Sequence, residues 1–173
     1  MMNSNYLADS VSLQKTLLKI FVLSVLFLAI PVFVFAQDAV ELGKFLEEEN
    51  SNNSEVIRGF VFDNVPTATW KQGMIVADAP QNAQKLVTDV VSLTILKGES
   101  SQNRAVKFLQ INLENADEKG RVRLNPSTLA SFINLQYVFI QSQVDLTPSE
   151  VSAMVSGYED GDIVLLFQVV SNF

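Results

Sequence analysis

The chain contains no histidine and no cysteine, so the usual general base, the sulfur nucleophile and almost every zinc ligand set are missing. Carboxylates, amides, hydroxyls and lysines remain for chemistry. Glu159-Asp160-Gly161-Asp162 is the densest acidic group and could attract a hard cation. It lacks the spaced oxygen ligands and terminal glutamate of an EF-hand loop, and Asp with Gly is ordinary turn chemistry, so it reads as a solvated turn. No metal, cofactor or catalytic residue is assigned. The sequence has no glycine-rich phosphate loop, which leaves nucleotide cradling without support. Lys119, Arg121 and Arg123 cluster in a chain with 12 basic and 19 acidic residues. A phosphate backbone needs a broader positive surface, so nucleic acid is not expected as a partner, and the cluster reads as the wet face of a strand. Asn52-Asn53-Ser54 matches a glycosylation sequon, which matters only in a eukaryotic secretory route.

The N-terminal stretch bears on where such a chain works. Lys15 and Lys19 precede the uncharged run Ile20 to Phe35, and Val34-Phe35-Ala36 places small residues where a signal peptidase reads. Residues 1–36 are therefore expected to be a signal peptide. Without Lys15, Lys19 and Asp9, 10 basic and 18 acidic residues remain, a net charge near −8. The alternative is an uncleaved anchor, since a bilayer can be spanned by as few as about 17 residues. Pro31 and the Val-x-Ala ending favour cleavage. The expected location is the periplasm, the cell surface or the medium, with membrane contact only through this segment if it stays attached. Without cysteine an exported domain has no disulfides and is held by its core alone.

The elements that would position any site follow from periodicity. Gln37 to Ser54 is polar and reads as a linker, although Val40, Leu42, Phe45 and Leu46 could form a short helix. Residues 55–173 are expected to be a single globular α/β domain. Val56 to Phe62 is read as a strand ended by Pro66, with Trp70 in the loop beyond as a cap over a core edge. Asp78-Ala79-Pro80 offers a helix start. Asn125-Pro126-Ser127 and Thr147-Pro148-Ser149 each set a capping residue before a first-turn proline, and Glu150 completes a capping box. Behind them Leu129, Phe132 and Ile133, then Val151, Met154 and Val155, form matching apolar faces, and Gly157 supplies a helix stop. Ile163 to Val170 is apolar on both faces, as in a covered strand or one that needs a partner.

Leu129 to Ile140 changes period, with Leu129, Phe132, Leu135 and Val138 in steps of three, then Val138-x-Ile140 in a step of two. That pattern joins a tight helical turn to a pleated strand. Its ending recurs as Val90-x-x-Leu93-x-Ile95, Val106-x-x-Leu109-x-Ile111 and Ile163-x-Leu165-x-Phe167. These segments, within residues 73–170, resemble the L-x-x-L-x-L core of leucine-rich repeats. The resemblance implies a short, irregular solenoid with a mainly parallel sheet, whose partner-facing residues flank the inward ones: Thr94, Gln110, Asn112, Phe139, Gln141, Leu166 and Gln168. The steps from Leu93 to Leu109, Val138 and Leu165 are 16, 29 and 27 residues, against about 20 to 29 in that family. Gly98, Glu114, Gln143 and Val170 stand where the family has asparagine. The short first step keeps a second architecture open, a small α+β domain with an antiparallel hairpin around Gly98. The expected function is an exported, non-enzymatic binding module that contacts a protein or envelope component through a sheet face or edge. The alternatives are a carboxylate-dependent envelope hydrolase and a structural subunit that packs by its edge strands.

Overall fold

The computed structural model describes residues 38–48, 52–76, 80–98, 101–158 and 162–170. The expected signal peptide, Asp78-Ala79 and most of the acidic turn at 159–162 lie outside these. The described chain is α/β, with a mostly parallel sheet and few helices. Its strands are β1 (Val40–Glu41), β2 (Thr67–Lys71), β3 (Met74–Ile75), β4 (Lys85–Asp89), β5 (Phe108–Leu113), β6 (Tyr137–Ser142) and β7 (Val164–Val169). The helices are α1 (Leu42–Glu48), α2 (Asn52–Phe62) and α3 (Pro148–Met154).

The sheet order is β1-β7-β6-β5-β4-β2-β3. From β2 through β4, β5 and β6 to β7 the neighbours are parallel and follow chain order. At one edge β3 pairs antiparallel with β2. Gln72 and Gly73 join them with φ of 54° and 75°, the two positive angles a type I′ hairpin turn requires. At the other edge β1 pairs parallel with β7.

Two rows of side chains point into the main core. Ala68, Leu86, Leu109, Val138 and Leu165 are in register across five strands, and Trp70, Thr88, Ile111, Ile140 and Phe167 form the next row. All ten are buried. Each connection from β4 onward adds apolar residues to the same core: Leu93 and Leu96, then Leu129 and Phe132, then Val151 and Met154. Neighbouring connections also hydrogen-bond one another. The Asn103 amide donates to Ser131 Oγ (2.8 Å) and that of Asn134 to the Arg104 carbonyl (2.6 Å). Farther along, the Leu124 N–H donates to the Met154 carbonyl (2.8 Å) and Lys119 pairs with Glu150 at 3.0 Å.

Several expectations change. Residues 93 and 109 do not flank a hairpin, since β4 and β5 are parallel. The strand preceding β5 is Lys85–Asp89, and Val91–Ile95 is a 3₁₀ turn, in which three-residue spacing is native because i and i+3 eclipse. Counted from the in-register residues Ala68, Leu86, Leu109, Val138 and Leu165, the steps are 18, 23, 29 and 27. Trp70 lies on β2 in the core, and Val56 to Phe62 belongs to α2. The buried Ile57 and Phe60 and half-buried Val61 repeat at three and four residues, a helical stripe. Part of the stretch read as a linker supplies β1 and α1, with Leu42 and Phe45 buried. After Pro126 the chain forms successive turns in place of a helix: the N–H of Phe132 donates to Leu129, and that of Leu135 to Phe132. Leu129 and Phe132 are buried, while Ile133 points outward at 67% exposure.

α3 forms as its start predicts. Thr147 Oγ1 accepts from the Glu150 N–H (3.3 Å), and Glu150 Oε2 accepts from the Thr147 N–H (2.8 Å). The Thr147 N–H, then Lys119 and the Thr147 hydroxyl, hold the Glu150 carboxyl below its ordinary range.

Candidate functional site

The sheet face opposite the main core decides which side chains are available to a partner. Near the strand starts it carries Phe108, Tyr137 and Phe139, and α1 and α2 lie on them through Leu42, Phe45, Ile57 and Phe60. The Phe60 and Phe108 rings stack, with centroids 5.1 Å apart. Lys85 ties α2 to the sheet by donating from Nζ to the Phe60 carbonyl (2.7 Å), above the Phe108 ring at 5.5 Å. That carbonyl is in the last turn of α2, where a cation complements the helix dipole. Burial lowers the Lys85 pKa.

Two or more residues farther along the same strands the chemistry changes. Asp89, Asn112, Gln141 and Gln168 are in register across β4 to β7, at strand spacings of about 4.8 Å. Gln110 is 9% exposed, and its Nε2 donates to both Asn112 Oδ1 (2.9 Å) and Gln141 Oε1 (2.7 Å). One buried amide thereby fixes two neighbours with their carbonyls turned toward it and their N–H groups turned away. Among the described residues nothing accepts from Asn112 Nδ2 or Gln141 Nε2, and Gln110 Oε1 and the Gln168 amide have no protein partner. Beside them opens a cleft of about 140 Å³, lined by Asn112, Leu113, Glu114, Gln141, Gln143 and Val170. None of these residues is cationic.

Asp89, at the β4 end of the row, is committed to structure. Its carboxylate accepts from the backbone N–H groups of Gln72 (2.7 Å) and Ser92 (2.8 Å), holding the β2–β3 turn and the 3₁₀ turn together. Partial burial alone would raise its pKa, but the Ser92 hydroxyl, these two N–H groups and the Lys71 charge outweigh it and pull the carboxyl below its ordinary value.

Of the seven residues that the repeat resemblance places on the partner face, Asn112, Gln141 and Gln168 lie half-buried in the strand-end row, and Gln110 braces them. Phe139 and Leu166 do not face a partner; they are buried under α1 and α2. Thr94 is off the sheet altogether, exposed on the 3₁₀ turn with Oγ1 donating to the Val91 carbonyl (3.2 Å). Glu114 and Gln143 were not among the candidates, though counting five residues on from Leu109 and Val138 reaches both and Val170 likewise follows Leu165. All three line the cleft.

The chain matches no family model, no curated protein and no solved structure.

Proposed function

We propose that this is an exported, non-enzymatic binding module that contacts a protein or envelope component through the strand-end row of Asn112, Gln141 and Gln168. The observation that carries the reading is the Gln110 brace. A buried amide that donates to two neighbours at 2.9 and 2.7 Å fixes a polar surface in advance, which lowers the ordering cost of binding. We further read β2 and β4 to β7 as successive turns of a short, irregular solenoid. Strand neighbours in chain order, in-register steps of 23, 29 and 27 from Leu86 and connections that hydrogen-bond each other support it.

A carboxylate-dependent hydrolase fits less well. It requires a carboxyl held protonated at working pH. The Asp89 and Glu150 carboxyls are both held below their ordinary values, Asp89 by the turns it ties together and Glu150 by its capping box. Packing through an edge strand draws on a different observation, the exposure of Met74 (64%) and Ile75 (51%) on β3. Short edge strands are a common protection against such pairing, so the row is preferred.

Two measurements test the proposal. Intact mass of the protein from its native host is expected to show a chain starting near Gln37, and a full-length chain in the membrane fraction would replace export with anchoring. Crosslinking from a photoreactive residue at position 141 is expected to capture a partner that the same group at Ile133, on the far side of the sheet, does not. Equal capture from both positions would remove the row as the contact surface.

A further inference from the structure

We propose that the segment bound at the strand-end cleft is an extended, basic stretch of polypeptide; this rests on the reading of the row as the binding surface. The free groups that line the cleft are the amide N–H donors of Asn112 and Gln141. They complement main-chain carbonyls, which every peptide carries whatever its sequence. The cleft adds a charge preference. Glu114 lines the cleft, and its carboxylate has no partner among the described residues, whereas the neighbouring Glu118 carboxylate is occupied by the N–H groups of Glu114 (2.7 Å) and Asn115 (3.4 Å). The chain as a whole carries a net charge of −7, and a basic segment would be drawn to it at long range.

Size points the same way. A cleft of about 140 Å³ takes a single side chain; an engineered cavity of about 150 Å³ holds one benzene. A lysine or arginine of the ligand would place its charge against Glu114 and its main chain along the amides. An oligosaccharide is the competing ligand with both donors and acceptors. The rings of this face, Phe108, Tyr137 and Phe139, lie under the helices and offer no platform for a sugar.

The test is fluorescence anisotropy on the full chain with three labelled probes: a dodecapeptide of repeated Gly-Lys-Gly-Ser, its counterpart with Glu for Lys, and cellohexaose. The lysine peptide is expected to bind about tenfold or more tighter than the other two. Asn112→Ala combined with Gln141→Ala is expected to weaken it about tenfold, and Glu114→Gln about threefold, with far-UV circular dichroism unchanged in both and melting unchanged in Glu114→Gln. Lysine-peptide binding that ignores these substitutions is non-specific charge attraction and overturns the proposal. Cellohexaose binding that the double variant abolishes, with no peptide binding, overturns the peptide and leaves the row as a binding surface. No binding of any probe overturns both.

Discussion

One sheet face carries two chemistries a few residues apart on the same strands. Toward the strand starts, Phe108, Tyr137 and Phe139 are covered by α1 and α2; toward the ends, Asn112, Gln141 and Gln168 are half-open and in register. The first region derives its stability from being covered, because rings left in water would forfeit the burial that seats the helices. The second is cross-linked through Gln110 and remains hydrated. The difference separates two roles on a single surface: helix-covered rings hold the molecule together, and the amides beyond them stay uncovered.

The comparison can be broken most severely at Phe108. Phe108→Ala is expected to cost about 3 to 5 kcal/mol, read as a lowered urea midpoint, and a loss under about 1 kcal/mol would mean that α1 and α2 are not seated on the rings. Asp89→Ala removes a carboxylate that two backbone N–H groups use, with an expected loss of about 1 to 2 kcal/mol. Because the folded-state pKa of Asp89 is lowered, its stabilisation is complete above the unfolded value of about 3.9 and disappears as pH falls through the folded value. Acid titration of stability is therefore expected to be shallower below about pH 4 in Asp89→Asn than in the parent chain. Thr147→Ala, beyond the main core, is expected to cost about 1 kcal/mol, with no effect on binding at the row. Gln141→Ala is expected to change stability by no more than about 0.5 kcal/mol while weakening ligand binding. A stability loss as large as that of Phe108→Ala would erase the distinction between the two regions.

What the sequence disclosed follows this division. β5, β6 and β7 are legible because their two-residue steps are clean, and α3 because Thr147-Pro148-Ser149-Glu150 is a local signal that satisfies itself within one turn. β4 is hidden because Lys85, Thr88 and Asp89 break its apolar alternation, and the tidier three-residue pattern just after it belongs to a turn. At the site, Gln110, Asn112, Gln141 and Gln168 are recoverable as residues flanking inward ones. The covering of Phe139 and Leu166 is not, because it depends on α1, whose stretch reads as a polar linker, and on α2, whose apolar residues read as a strand, until Phe108 is placed opposite them. Alternation tells which side of a sheet a residue is on; it does not tell what lies over that side.

The pairing of β1 with β7 brings together residues near opposite ends of the described chain, Val40 with Leu166 and Glu41 with Phe167, and the Ala39 N–H donates to Ser152 Oγ (3.1 Å). Every other strand pairing can close as soon as the next strand is available, but this one waits for the last. A chain emerging from the ribosome N-terminus first therefore leaves β1 unpaired until β7 has been made. During that interval chaperones, or an export machinery that keeps chains unfolded, have their longest access to it.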